Sequence, residues 1–390
     1  MEKVNVAMVC KLMPYYRLGI FQKLSSIDKH YEFSFFGDTI KKGGIEPIPY
    51  EYASAEGKER VRWIKTKNYL YRPDKLLWQT GIIKEIFKSK FKVFVFEGAI
   101  GHYPIWLFAF LCKLRGKKVI YWTHGNRGLD KGIKKLLRIV FFRWLGDALF
   151  LYGNFQRNIM INDGYNPNKV HVIYNSLQPN KQFKILEDYE SNKIAGKKHT
   201  MFKDPNAFTL IFIGRLAAAK GVLDILKVVK TLKEDLVITN CIFIGEGQEK
   251  KGMESYCKEN QLDDQVYFAG ALYDEESIAP YFVEADLLLS PGNVGLNCMH
   301  SLAYGVPVLT HDDFRFQNPE VEAIEDGVTG VFYKYGDFDD MVSKLKHWIA
   351  KGISKETNRI NCQHVIKEIY NPTHQAACML TGFNKVLYGE

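Results

Sequence analysis

Short unbroken apolar runs and longer segments with an apolar residue every third or fourth position take turns along this chain. VNVAMVC (4–10), YEFSFFGD (31–38), KVFVFEG (92–98), KKVIYWTHG (117–125), DALFLYG (147–153) and KVHVIYNS (169–176) are of the first kind and predict strands. YYRLGIFQKLSS (15–26), YPIWLFAFLCKLRG (103–116) and KGIKKLLRIVFFRWLG (131–146) are of the second and predict helices, with a further short helix ending at Asp163. The segment between residues 39 and 75 is polar and irregular. Residues 179–206 lose the pattern altogether, become lysine-rich and predict a linker. Beyond them the alternation restarts with FTLIFIGRL, GVLDILKVVKTLKE, LVITNCIFIGEG, QEKKGMESYCKENQ, VYFAGA, ESIAPYFVEA and DLLLSP. A helix from Met299 to Tyr304 and a strand from Val306 to Thr310 follow. Strands separated by helices of this length imply parallel sheets with helices on both faces, so the chain is expected to be two doubly wound α/β domains in tandem.

Length agrees with that division, since 390 residues exceed one ordinary core. Charge adds an asymmetry the pattern does not contain. Residues 1–200 hold 35 Lys and Arg against 17 Asp and Glu, while residues 201–390 hold 18 against 27. The basic half is expected to face something anionic, such as a membrane surface or a phosphorylated acceptor. No recognised nucleic-acid motif accompanies it, and no nucleic acid is expected as a partner. The seven cysteines are scattered without a CxxC pair, which points to a reducing compartment rather than to a zinc site or disulfide framework. The first residues do not resemble a signal peptide, and PIWLFAFLCKL is about half the length that spans a bilayer. These features predict a cytoplasmic protein that touches a membrane without crossing it. The basic and apolar helix at 131–146 is the candidate contact.

In open parallel sheets ligands bind at the carboxyl ends of strands, so the loops there carry the candidate chemistry. In IGRLAAAKG, Gly214 closes a strand, and Arg215 and Lys220 flank the start of a helix, an arrangement suited to a diphosphate. In IGEG, Gly245, Glu246 and Gly247 follow the next strand and would bring backbone to the same nucleotide. In SPGNVGLNCMH, Gly292, Asn293, Val294, Gly295 and Leu296 lead into the helix bearing His300, with backbone N–H groups available for phosphate or sugar oxygens. Glu320, directly after Pro319, is a further candidate, whereas Glu325 reads as a solvated surface acid.

Taken in order, GRL with Lys-Gly after it, IGEG, a glycine-led helix followed by YGVPV, and PE with DGVTG resemble the retaining glycosyltransferases of the GT4 type with the GT-B fold. The likeness covers residues 208–345. It extends more loosely to PYYRLGIFQKL, WTHG and NKVHVIYNS in the first half. It implies two Rossmann-like domains facing a central cleft: an acceptor-side domain at 1–178, a nucleotide-sugar domain at 207–365 and a last segment, 366–390, that crosses back to the first domain. It implies metal-independent transfer from a nucleotide sugar, with no cofactor. The acceptor would be a lipid-linked or cell-surface glycan, and UDP is the default donor nucleotide. Arg215, Lys220 and His124 would be catalytic, and Tyr16, Arg17 and Arg127 would serve the acceptor.

The departure lies in the acids. Such enzymes carry two glutamates eight positions apart, and those positions fall on Gly292 and His300 here, in a loop about three residues short. The resemblance gives the first acid the donor sugar and the second the ribose. His300 is then expected to bond the ribose through a ring nitrogen, and backbone at 293–295, or Glu320 or Glu322, to position the sugar. Two other readings remain open: a nucleotide-sugar-binding partner subunit without transfer, and a GT-B nucleotide-sugar epimerase.

Overall fold

The computed structural model describes residues 3–27, 30–39, 46–53, 60–72, 76–191 and 201–389. They form two compact units, residues 1–177 with 371–390, and residues 178–370.

The first unit opens with β1 (Val4–Leu12), α1 (Leu18–Ile27), β2 (Tyr31–Asp38) and β3 (Trp63–Lys65). A small antiparallel pair, β4 (Asn68–Arg72) and β5 (Leu76–Gln79), and α2 (Ile82–Phe87) come next. Three strand–helix repeats follow: β6 (Phe91–Glu97) with α3 (Tyr103–Leu114), β7 (Lys118–Thr123) with α4 (Gly132–Ile139), and β8 (Ala148–Leu151) with α5 (Asn154–Asn162). β9 (Val170–Val172) ends the series. Seven strands form one parallel sheet in the order β3-β2-β1-β6-β7-β8-β9. Along β1, Val6 and Met8 enter one core while Ala7 and Val9 enter the other. Side chains alternate across a strand, so a strand covered on both faces is apolar at nearly every position, which is why the run carries no regular polar alternation.

The second unit begins with α6 (Pro179–Ser191) and continues as β10 (Phe208–Ile213), α7 (Val222–Glu234), β11 (Thr239–Ile244), α8 (Lys250–Glu259), β12 (Val266–Gly270) and α9 (Glu275–Glu284). β13 (Leu287–Ser290), α10 (Leu296–Ala303), β14 (Val308–His311), β15 (Gly330–Tyr333), α11 (Phe338–Ala350) and α12 (Lys355–Glu368) complete it. Its six strands are parallel in the order β12-β11-β10-β13-β14-β15. After α12 the chain returns to the first unit as α13 (Pro372–Tyr388). Ala376, Met379 and Phe383 of that helix share a core with Phe21, Phe33 and Phe150. No described helix is long and apolar enough to cross a membrane.

Three local readings change. The first part of the segment read as a linker is helical, because Gln182 and Leu186 are buried and α6 packs on α9 and α10. Residues 192–200 of that segment lie outside the described residues. α10 starts at Leu296 rather than Met299. The Asn297 side chain accepts from the N–H groups of Gly295 (2.8 Å) and Cys298 (3.0 Å) and so fixes the first turn earlier. The helix read at 131–146 widens into a π turn from Val140 to Trp144, which buries both Phe141 and Phe142.

Phe383 is fully buried among those rings, so Phe383→Ala is expected to destabilise the first unit by about 3–5 kcal/mol. Denaturant unfolding of the full chain would show this as a lower midpoint at unchanged slope.

Candidate active site

The order of the second sheet reverses at β10, with β11 and β12 on one side and β13, β14 and β15 on the other. Such a reversal opens a crevice beyond the carboxyl ends of the two strands that part there. The loops leaving β10 and β13 carry Arg215, Lys220 and residues 291–295.

These loops touch backbone to backbone. A Cβ on Gly245 would lie 1.9 Å from the carbonyl oxygen of Gly214, and one on Gly247 2.0 Å from that of Leu216. The N–H of Gly214 donates to Ile244 O (2.9 Å) and that of Leu216 to Glu246 O (3.0 Å). The glycines of IGEG are thus required by the neighbouring loop. The Glu246 carboxylate pairs with Lys250 at 2.6 Å. Gly292 is needed for the same reason: a Cβ there would meet Ala219 O at 2.6 Å, and its N–H donates to Lys220 O (3.1 Å).

This contact fixes Lys220. Its Nζ donates to the carbonyl (2.7 Å) and the side-chain oxygen (2.8 Å) of Asn293. Burial lowers the Lys220 pKa, and the nearby Glu320 carboxylate opposes that shift. Glu320 is itself buried on a short 3-10 turn, Pro319–Ala323. Arg215, five residues earlier, is exposed at the end of β10. A half-buried cation, Lys220, therefore stands between the loops that lead into α7 and α10, with the exposed Arg215 at the end of β10; the amino-terminal ends of helices favour an anion.

The expected use of loop N–H groups changes. Val294 N–H donates to Gln317 Oε1 (2.8 Å) and Gly295 N–H to Asn297, so with Gly292 three N–H groups are already taken within the protein. Gln317 also donates to Thr310 Oγ1 (2.9 Å) and His311 O (3.0 Å), and the Tyr333 hydroxyl donates to Pro291 O (2.9 Å). These supporting residues were missed from sequence. Gln317 stands among charged and polar residues (Asp312, Asp313, Arg315, Asn318), so the sequence gives no signal for it. Leu296 is the first residue of α10.

His300, expected at the ribose, is engaged within the protein here. Its Nε2 faces both oxygens of Glu275 on α9, at 3.1 and 3.0 Å, and its Nδ1 is buried without a partner. The ring lies edge-on to Phe282 and Tyr304. The Tyr304 hydroxyl also donates to Glu275 (2.7 Å). Burial alone would raise the Glu275 carboxyl, but donation from His300, Tyr304 and Gln182 holds it below its ordinary value. His300 thus ties α10 to α9.

In the first unit the sheet order reverses at β1, between β2 and β6. Arg17 sits at the carboxyl ends of these strands. Its guanidinium donates to Glu97 (2.7 Å) and the Tyr152 hydroxyl (3.1 Å) and stacks over Trp122 at 4.4 Å. The Lys11 N–H donates to the second Glu97 oxygen (3.1 Å). Arg17, expected on the acceptor side, thus joins β1, β6, β7 and β8 in this structure. Tyr16 adjoins it and Arg127 is half-buried three residues beyond His124. The His124 ring keeps one side open to solvent and lies 4.8 Å from the Tyr152 ring. The dense protein on its other side, with Arg127 and Arg17, pushes its pKa down to about 4. Among the described residues no group of His, Cys, Asp or Glu could hold a metal ion, and the seven cysteines are free.

Two parallel doubly wound sheets, the second with cations at its switch point, are the architecture of proteins that handle nucleotide-linked groups. Residues 197–363 match the family described as glycosyl transferases group 1, and the fold is that of the GT-B glycosyltransferases. A protein from the cps region of Klebsiella pneumoniae is 28% identical over 67% of this chain and 70% of its own length. The lipopolysaccharide outer core galactosyltransferase WaaB superposes with a TM-score of 0.69 at 12% identity, covering 99% of each chain. The Anabaena protein HepE, solved with UDP, gives 0.68 at 12% identity over 98% of this chain and 100% of its own.

His300→Ala would leave Glu275 short of a donor and is expected to cost about 1–3 kcal/mol of second-unit stability. Affinity for nucleotide should change less than about threefold, well under one tenfold step of 1.4 kcal/mol. Calorimetric unfolding and nucleotide titration of one preparation would check both. For His124, the ring resonance in an NMR titration, assigned by its loss in His124→Asn, is expected to titrate on the acid side of the ordinary histidine value of 6.5, leaving the ring neutral at pH 7.

Proposed function

We propose that the chain transfers a sugar, with retention and without a metal, from a UDP-linked donor to a lipid-linked or cell-surface glycan, as a cytoplasmic enzyme at the inner face of a membrane. The observation that carries this reading is Lys220 at the switch point of the second sheet, held against Asn293 and influenced by Glu320. The Klebsiella relative from a cps region and the UDP-bound Anabaena structure support the donor and acceptor classes.

In this reading the donor diphosphate replaces the Asn293 oxygens on Lys220 and recruits Arg215 from solvent. Breaking the bond between sugar and diphosphate builds negative charge on the leaving phosphate, and preorganised cations stabilise that charge more than they stabilise the ground state. With glycine at 292, no carboxylate stands there as a nucleophile, which suits attack from the face the diphosphate leaves, the phosphate taking the acceptor proton. Gly214, Gly245, Glu246 and Gly247 shape the diphosphate loop, and Asn293 and Glu320 position the donor. His124, neutral at pH 7, would hydrogen-bond a sugar hydroxyl. Tyr16 and Arg127 would border the acceptor.

The test is thermal stabilisation by UDP-, GDP-, ADP- and CMP-linked sugars, read beside nucleotide release with and without a glycan acceptor. UDP sugars are expected to raise the midpoint by mass action. Lys220→Ala and Arg215→Ala are each expected to lower turnover by about 100-fold or more. Stabilisation without any turnover would leave a binding subunit, and an altered sugar formed without acceptor would make the protein an epimerase.

A second measurement follows from the charge on Lys220. Donor affinity should fall on the alkaline side as Lys220 loses its proton, below the ordinary lysine value of 10.5. Glu320→Gln removes the charge that favours the protonated amine, so the fall should move to still lower pH. An unchanged affinity–pH profile in Glu320→Gln would separate Glu320 from Lys220.

A further inference from the structure

Past the loops that carry Lys220, the same edge of the second sheet continues through β14 and β15, one and two strand spacings of about 4.8 Å from β13. His311 ends β14 and Tyr333 ends β15, so residues 312–318 and 334–336 leave the sheet on the side of the candidate site. The first of these loops is stitched to the 291–294 loop. Gln317 accepts from the Val294 N–H, and the Thr310 hydroxyl donates to Ser290 O (2.8 Å).

Two large rings stand exposed on these loops. Phe316 is 40% and Tyr335 is 49% exposed, and their rings lie within 14° of parallel with centroids 5.0 Å apart. Atoms in contact across two ring faces are about 3.5 Å apart, so rings with centroids at 5.0 Å are slid sideways by roughly the same distance. The pair therefore forms a step, with part of each face uncovered.

The step is held from below. The buried His311 ring meets the Tyr335 ring at 4.6 Å, and the Tyr335 N–H donates to Asp312 Oδ1 (3.0 Å). Phe316 closes a turn in which its own N–H donates to Asp313 O (3.0 Å) and the Arg315 N–H donates to Asp313 Oδ1 (3.0 Å). Polar groups border the step. Arg315 spends Nε and Nη2 on the Asp313 carboxylate, with its guanidinium 5.9 Å from the centre of the Phe316 ring, and its Nη1 has no partner among the described residues. Asp312 gives one carboxylate oxygen to Tyr335, and its Oδ2 accepts from no described residue.

The chemistry of this surface limits what it can hold. Apolar area left in water forgoes about 25 cal/mol for each Å², so a ring pair with a purely structural part would be expected inside. A protein partner would need about 800 Å² on each side, and the other exposed side chains of the two loops, Asp312, Arg315 and Lys334, are charged. A purely apolar ring would fill the step and leave the free carboxylate oxygen and Nη1 unused. A pyranose suits all three. Its axial C–H bonds make one face apolar and weakly positive, which matches the electron-rich face of an aromatic ring, and the hydroxyls on its rim both donate and accept.

We propose that Phe316 and Tyr335, bordered by Asp312 and Arg315, form a saccharide subsite on the second unit. One pyranose ring lies against the aromatic step, one of its hydroxyls donates to Asp312 Oδ2 and another accepts from Arg315 Nη1. The ring belongs either to the nucleotide donor or to the acceptor glycan, and the recognition chemistry is the same for both. The proposal rests on the transferase reading for its ligand class, and its test measures binding without turnover.

The test is calorimetric titration of the full chain with UDP, UDP-glucose, UDP-galactose and UDP-N-acetylglucosamine and with GDP and GDP-mannose, beside NMR titration with the methyl glycosides of the same four sugars. In the double variant Phe316→Ser, Tyr335→Ser, affinity for at least one of the sugar ligands is expected to fall about tenfold, while free UDP and GDP bind as they do to the wild type. Arg315→Ala should weaken the same ligand by about threefold or more. Tyr335→Phe keeps the ring and should stay within about twofold of the wild type. Loss confined to a nucleotide sugar assigns the subsite to the donor, and loss confined to a methyl glycoside assigns it to the acceptor. Unchanged affinity for free nucleotide shows that the variants are folded. Equal affinity of wild type and double variant for every sugar ligand would overturn the proposal, as would a wild type that binds none of them. So would an equal loss for free nucleotide and nucleotide sugar, because the rings would then support the 291–294 loop and touch no sugar. If sugars bind through the step and no donor is turned over, the transferase reading fails and the subsite stands.

Discussion

The second unit depends on how closely three loops approach at the ends of β10, β11 and β13. Gly245 and Gly247 leave room for the carbonyls of Gly214 and Leu216, and Gly292 leaves room for Ala219. A methyl group at any of these places would overlap backbone, which cannot swing aside as a side chain can. The approach brings residues 215–220 against residues 291–293, and only in that register does Lys220 reach both oxygens of Asn293. Gln317 and Tyr333 then hold the 291–294 strand end from the other side. The chemistry of the cation is thus inherited from packing in which no charge takes part.

The architecture was legible because burial on both sheet faces leaves a strong trace: a strand such as Val4–Leu12 must be apolar at nearly every position. Helix α6 was not legible, since Pro179, Gln182 and Leu186 are its buried residues among those described and its half-buried Phe183, Ile185 and Tyr189 are interspersed with charges. Arg215, Lys220 and Glu320 were singled out from their places in strand–loop–helix order, and the structure puts Lys220 near Glu320. The glycines were singled out too, but for another reason than the one the structure gives. They look the same in sequence whether a ligand or a neighbouring loop needs the space.

His300 and Arg17 show how little a single position says about contacts. Both fall where a ligand-binding side chain was expected, and both are engaged by residues far away in sequence, Glu275 on the next helix and Glu97 across the sheet. Only a long-range contact decides whether a polar side chain is available, and no spacing rule carries that information. The excess charge of the first half behaves in the same way. Where the acids Asp130 and Asp163 fold back on α4 the excess disappears, and where Asp147 is used by Lys113 it persists.

The return of α13 to the first unit has a consequence for the order in which the chain becomes structured as it is made. Residues 178–370 hold everything the second unit contains, whereas the core around Phe21, Phe33 and Phe150 lacks Phe383 until the chain has been extended past it. Domains ordinarily fold from the amino terminus as they emerge. Here the earlier sequence must wait for the last helix, with an apolar face uncovered while the later unit settles. During synthesis that face is the part of the molecule most in need of protection.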